Sequence, residues 1–182
     1  SFFSNIYNLV IGKFFNSSSL GFYSRADSLY KFPILLLSSV INQVSFPVFS
    51  KIQNDKEKFK KILRRTLKSI TLITFPIMIG LIVTAKPLVQ ILLTEKWISS
   101  VVYIQYLCVV GMIYPILAVN LNALNAQGRS DIHLKLDIIS KIILTLTILL
   151  TFKFGILALI LGQIVTSLIS FYLYSYFVGL YI

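Results

Sequence analysis

Charge is what this sequence has least of. Lys, Arg, Asp and Glu together make up 13% of its 182 residues, about half the share of an ordinary soluble domain. A soluble fold of this length needs more polar surface to cover its core. A disordered chain is excluded from the other direction, because 57% of the residues are hydrophobic and disordered chains are poor in such residues. A single cysteine, Cys108, excludes an intramolecular disulfide and any multi-cysteine metal site. A single histidine, His133, excludes a metalloprotease of the HExxH kind. Six acidic residues, scattered along the chain, make no acidic metal cluster. There is no Walker sequence, no GxGxxG and no GxSxG. The residues therefore assign no catalytic group, metal or cofactor, and the chain reads as a non-enzyme.

What is there is apolar sequence, with a mean hydropathy of +0.85. A membrane-spanning helix takes about 20 mainly apolar residues. Six stretches meet or approach that length, at residues 2–15, 29–49, 69–85, 101–123, 134–152 and 155–181. They are too long for strands and lack the alternation of a membrane barrel. Backbone groups exposed to lipid must be satisfied within the segment. The expected fold is an all-α integral membrane protein, a bundle of six transmembrane helices. Pro33, Pro47, Pro76 and Pro115 fall inside three of these spans, where each removes a helical hydrogen bond.

The net charge is +11. In a soluble protein that excess would suggest nucleic acid, but its placement points elsewhere. Lys51, Lys56, Lys58, Lys60, Lys61, Arg64, Arg65 and Lys68 crowd the connection at residues 50–68, and Arg129 and Lys135 occupy the connection at 127–135. Both connections fall on one side of a six-span topology. The other side carries Lys13, Arg25, Lys31, Lys86, Lys96 and Lys153. The positive-inside rule then puts residues 50–68 and 127–135 in the cytoplasm. No nucleic-acid partner is expected. Phe59, Ile62, Leu63 and Leu67, interleaved with Lys and Arg, predict a basic amphipathic helix running into the third span. Residues 86–97 predict a short interfacial helix, with Pro87 in its first turn and Trp97 at the headgroups.

Polar residues inside the spans are the candidate functional residues. A charge at mid-membrane is costly and usually faces protein or water. Lys141 lies seven residues beyond Leu134, about 10 Å along a helix, with Asp137 one turn before it. The two form either a self-neutralised pair or the lining of a hydrated cavity. Lys31, near Arg25 and Asp27, either snorkels at the outer surface or borders an anion pathway. Asn122 and Asn125, on the face that reaches Arg129, either join helices or line a cavity for sugar. Cys108, in an apolar run, is expected to pack as a small side chain.

Several segments carry a resemblance. They are IGKFF from Ile11, LGFYSRA from Leu20, VSFPVFS from Val44 and FP at Phe75. AKPLV from Ala85, EKW from Glu95, AQGRSD from Ala126 and LKL from Leu134 complete the series. In this order and spacing they cover nearly the whole chain, which resembles the Wzx-type polysaccharide flippases, closest to the colanic acid and teichuronic acid exporters. The same superfamily holds drug/cation antiporters and the peptidoglycan lipid flippase.

The resemblance implies two six-helix lobes around a central cavity. Residues 1–182 would form the second lobe, a fragment of a longer protein whose N-terminal lobe is the missing partner. It further implies a bacterial cytoplasmic membrane and surrounding membrane lipids. The implied substrate is an undecaprenyl-pyrophosphate-linked oligosaccharide, moved by alternating access with Na+ or H+ as the coupling ion where transport is concentrative. The family supplies no motif that assigns residues. Arg25, Lys31, Asn122, Asn125, Arg129, Asp137 and Lys141 stand as substrate-cavity candidates on the physical argument alone. The rival readings are a drug/cation antiporter, a membrane polysaccharide polymerase and a purely structural membrane subunit.

Overall fold

The computed structural model describes residues 5–181, and these form six α-helices. They are α1 (Ile6–Phe14), α2 (Ser17–Lys51), α3 (Lys56–Leu93), α4 (Ser100–Ala126), α5 (Ser130–Thr151) and α6 (Ile156–Tyr181), with 3-10 turns at Glu95–Trp97 and Phe152–Phe154. Four of them, α2, α3, α4 and α6, are long and apolar enough to cross a membrane. The fifth, α5, has 22 residues, about 33 Å at 1.5 Å each, but Lys135, Asp137 and Lys141 interrupt its apolar run. The expected first span is represented by the nine residues of α1; its start at residues 2–4 lies outside the described residues.

α4 contains no Lys, Arg, Asp or Glu, and a helix apolar on all sides is a buried one. It packs against α2, α3 and α6, while α5 packs mainly against α6. Ile104, Leu107, Cys108, Val119, Ala123 and Leu124 of α4 are fully enclosed, so Cys108 is the packing residue expected. Side-chain bonds fix the directions. Asn122 of α4 reaches Asn42 near the end of α2, so α2 and α4 run parallel with α3 returning beside them. Thr166 of α6 meets Thr147 of α5, and Ser170 meets Ser140, an antiparallel pair. Close approach of α5 and α6 depends on Gly162, where a Cβ would lie 2.6 Å from Thr147 Cγ2. Small residues and hydroxyls at such a contact are the means by which helices associate in lipid.

The outer faces remain apolar. Phe32, Leu35 and Val40 on α2, Leu72 and Val83 on α3, and Leu146 and Leu150 on α5 are all exposed, as suits a surface solvated by lipid.

The helices extend further than the apolar runs suggest. α2 begins twelve residues before the span expected at 29–49, capped by Asn16, whose Oδ1 accepts from the Ser19 N–H at 2.8 Å. The segment 50–68 is a turn followed by the first turns of α3. Asp55 caps it by accepting from Lys58 N–H at 3.0 Å, a favoured N-cap arrangement. Phe59 and Leu63 are buried and Ile62 and Leu67 half-buried, with the lysines and arginines outward. The basic amphipathic helix continuous with the third span is therefore present.

The separate interfacial helix at residues 86–97 is not. α3 runs on to Leu93, with Pro87 in its interior. Ala85 and Val89 are fully buried in the core, and that packing outweighs the single hydrogen bond Pro87 removes. The chain turns instead at Thr94, whose φ of 76° is unusual for a β-branched residue.

Candidate functional site

The seven candidate residues do not share one pocket. They fall into separate groups along the bundle.

At one end, Arg25 lies with its guanidinium 5.3 Å from the centroid of the Trp97 indole, a cation–π contact. Trp97 also meets Phe22 edge to face at 5.7 Å and lies beside Gly21. Gly21, Arg25 and Trp97, with Ser17, Ser24 and Ser28, border an open cleft.

Deeper on α2, Lys31 Nζ donates to Asp27 Oδ2 at 2.6 Å. Asp27 is buried and Lys31 half-exposed. Tyr23 and Tyr30, four residues before and three after Asp27, are buried on the same helix. The Tyr23 hydroxyl donates weakly to Gln163 Oε1 of α6 at 3.5 Å. The Tyr7 ring of α1 lies 6.5 Å from that of Tyr23. Tyr7 Oη and Asn8 Oδ1 are buried without a hydrogen-bond partner among the described residues. This polar aromatic cluster escaped the reading of the sequence. Its signal was present as the spacing of Tyr23, Asp27 and Tyr30, which places the three on one helix face.

In the body of the bundle, Asn122 is buried and its amide donates to Asn42 Oδ1 at 3.0 Å. Asn120 donates to Ser175 at 3.3 Å. Of the two roles open to Asn122, the bond to Asn42 is that of a helix-joining amide. Asn125 is half-buried.

On α5, Lys141 Nζ donates to Asp137 Oδ2 across one helical turn, each side chain about two-fifths exposed. The pairing expected from the spacing is present.

At the opposite end from Arg25, Arg129 follows α4. Its place is set by the backbone. Gly128 takes a φ of 69°, the left-handed conformation glycine tolerates best. Gly128 N–H then bonds Asn125 O and Arg129 N–H bonds Leu124 O, both at 3.0 Å, closing α4 in a Schellman motif. The guanidinium lies over the Tyr181 ring at 4.2 Å from its centroid, with Asp131 Oδ1 at 3.5 Å from Nε. The Gln127 amide reaches the carbonyl of Gln53 at 3.3 Å, so the connections at 50–68 and 127–135 lie at one end of the bundle.

Among the described residues no group of His, Cys, Asp and Glu is placed to hold a metal ion.

Residues 1–102 match the model of a family described as polysaccharide biosynthesis protein. Among curated relatives, the chain is 30% identical over 176 residues to the lipopolysaccharide biosynthesis protein WzxC of Escherichia coli, covering 96% of this chain and 36% of that protein. It is 28% identical over 129 residues to the teichuronic acid biosynthesis protein TuaB of Bacillus subtilis, covering 71% and 27%. It is 28% identical over 89 residues to the succinoglycan biosynthesis transport protein ExoT of Rhizobium meliloti, covering 49% and 18%. The chain thus spans about a third or less of the length of these relatives. No solved structure matches it.

Proposed function

The chain belongs to the polysaccharide biosynthesis protein family, and on that premise we propose that it is one lobe of a flippase for lipid-linked oligosaccharides. The observation that carries this reading is where the family match falls. Residues 1–102 cover α1, α2 and α3, and α2 and α3 are long and apolar enough to cross a membrane. WzxC and TuaB are named for polysaccharide biosynthesis and ExoT for its transport, and the last name supports export. In this reading α1 and α5 complete a six-helix lobe with the four long helices. A second lobe, matching the remaining length of the relatives, closes the cavity.

The substrate is an oligosaccharide on undecaprenyl pyrophosphate, in the bacterial cytoplasmic membrane. The end of the bundle with the basic connections faces the cytoplasm, following the positive-inside rule. Arg129 stands at that end and Arg25 at the outer end. Lys31 and Lys141 lie between, as cationic stations for a pyrophosphate that moves while its prenyl tail stays in lipid. Rocking of the lobes exposes the cavity to each side in turn. Where transport is coupled to Na+ or H+, Asp27 is the carboxylate best placed, because it is buried.

A drug/cation antiporter is less well supported. Its cavity is expected to be acidic, and the chain carries six acidic residues against seventeen basic ones.

The test is export in cells that depend on the full-length protein. Arg25→Ala and Lys141→Ala should each lower surface polysaccharide and trap lipid-linked sugar inside. Normal export in both variants would remove these residues from the path.

A further inference from the structure

A partly enclosed cavity lies between the start of α5 and the end of α6. Its volume is about 180 Å³, and it is lined by Arg129, Asp131, Ile132, Lys135, Leu136, Ile139, Phe177 and Tyr181. The lining has two chemically distinct halves. Arg129 and Lys135 bring two cations to the rim. Ile132, Leu136, Ile139 and Phe177 form an apolar wall, in which Ile132 and Leu136 are buried and Ile139 is exposed on the outer face of α5.

The cations are only partly used. Arg129 is held flat by the Tyr181 ring. Its one carboxylate neighbour, Asp131, lies at 3.5 Å, beyond good hydrogen-bonding range, so most of its planar fork of donors is unengaged. Lys135 has no ion-pair or hydrogen-bond partner among the described residues. A guanidinium and an ammonium together match a phosphate, which the guanidinium meets with two parallel bonds. A free phosphate would gain nothing from the apolar wall. An amphiphile carrying phosphate on an apolar chain would use both halves, with its chain leaving past Ile139 and the exposed Ile138 toward the lipid-facing side of α5. The cavity also sits where a headgroup would be, at the ends of two helices of a membrane bundle.

We propose that this cavity binds the phosphate headgroup of a membrane lipid, with Arg129 and Lys135 on the phosphate and the wall of α5 and α6 against the first methylenes of its chain. The site does not depend on whether the protein moves sugar, so loss of lipid binding and loss of transport are separate outcomes. Two lipids share the chemistry, an anionic phospholipid of the bilayer and a prenyl phosphate.

The experiment is native mass spectrometry of the protein released from nanodiscs of phosphatidylglycerol and phosphatidylcholine in equal amounts. The unaltered protein should retain phosphatidylglycerol over phosphatidylcholine by roughly tenfold or more, the scale of two basic residues near an anionic surface. Millimolar inorganic phosphate should leave that preference intact. Arg129→Gln with Lys135→Gln should abolish it. Lys61→Gln with Arg64→Gln, exposed at the same end but outside the cavity, should keep it. Displacement of phosphatidylglycerol by added undecaprenyl phosphate assigns the prenyl phosphate as a ligand, and its failure assigns the bilayer phospholipid. Equal retention of the two phospholipids by the unaltered protein overturns the proposal. So does a preference that survives the Arg129 and Lys135 substitutions, or one that inorganic phosphate removes.

Discussion

Asp27 and Lys31 are joined at 2.6 Å across one turn of α2, the carboxylate buried and the ammonium half-exposed. A buried ion pair contributes less than its charges suggest, because both groups lose water. Removing only one partner is the damaging change.

Lys31→Met should therefore destabilise the protein more than the double variant Asp27→Asn with Lys31→Met. The single substitution leaves a buried carboxylate alone, which costs about 3–5 kcal/mol for a fully enclosed pair and less here because Lys31 reaches solvent. Thermal unfolding in detergent, followed by size exclusion, measures the difference. Equal losses would show that the pair is not coupled.

Asn122 makes a sharper distinction between holding the fold and touching a substrate. If its bond to Asn42 is its role, Asn122→Ala and Asn42→Ala should each cost about 0.6–2 kcal/mol, and the double variant little more than either. Folding measurements on the three variants test this. A variant of Asn122 that folds with full stability yet fails to export would place the amide on the transport path instead.

Gly162→Ala should push α5 from α6, because the new methyl would meet Thr147 Cγ2 at 2.6 Å. Overpacking of this kind costs about 1–3 kcal/mol. Adding Thr147→Ala removes the colliding methyl and should recover most of the loss, at the expense of the hydroxyl contact with Thr166. Melting temperatures of the single and double variants check both parts.

Membrane sidedness is open to a direct chemical test, since Cys108 is the sole cysteine and is buried. After Cys108→Ala, Gln53→Cys should react with an impermeant maleimide only in inverted vesicles. Lys96→Cys should react only in intact cells. The reverse pattern would invert the topology.

The helical membrane class was legible because apolar runs record where lipid contacts the chain. Helix ends were not legible from the same runs. The polar first turns of α2 and the basic first turns of α3 are held by Asn16 and Asp55 caps, outside the apolar stretches. Pro87 reads locally as a helix start, and only the tertiary burial of Ala85 and Val89 shows why the helix passes through it. Local pairs were readable from spacing alone, as with Asp137 and Lys141. The bond between Asn42 and Asn122 joins residues 80 apart, and the stacking of Arg129 on Tyr181 joins the α4–α5 connection to the end of α6. Such contacts exist only once the bundle has packed, and no periodicity encodes them.

Translocation itself is most directly read in spheroplasts, as the share of lipid-linked oligosaccharide open to an externally added glycosidase. In cells with the full-length protein a substantial share should be cleaved, and in cells lacking it the intact lipid-linked sugar should accumulate beyond the enzyme's reach. Equal cleavage with and without the protein would contradict the flippase account.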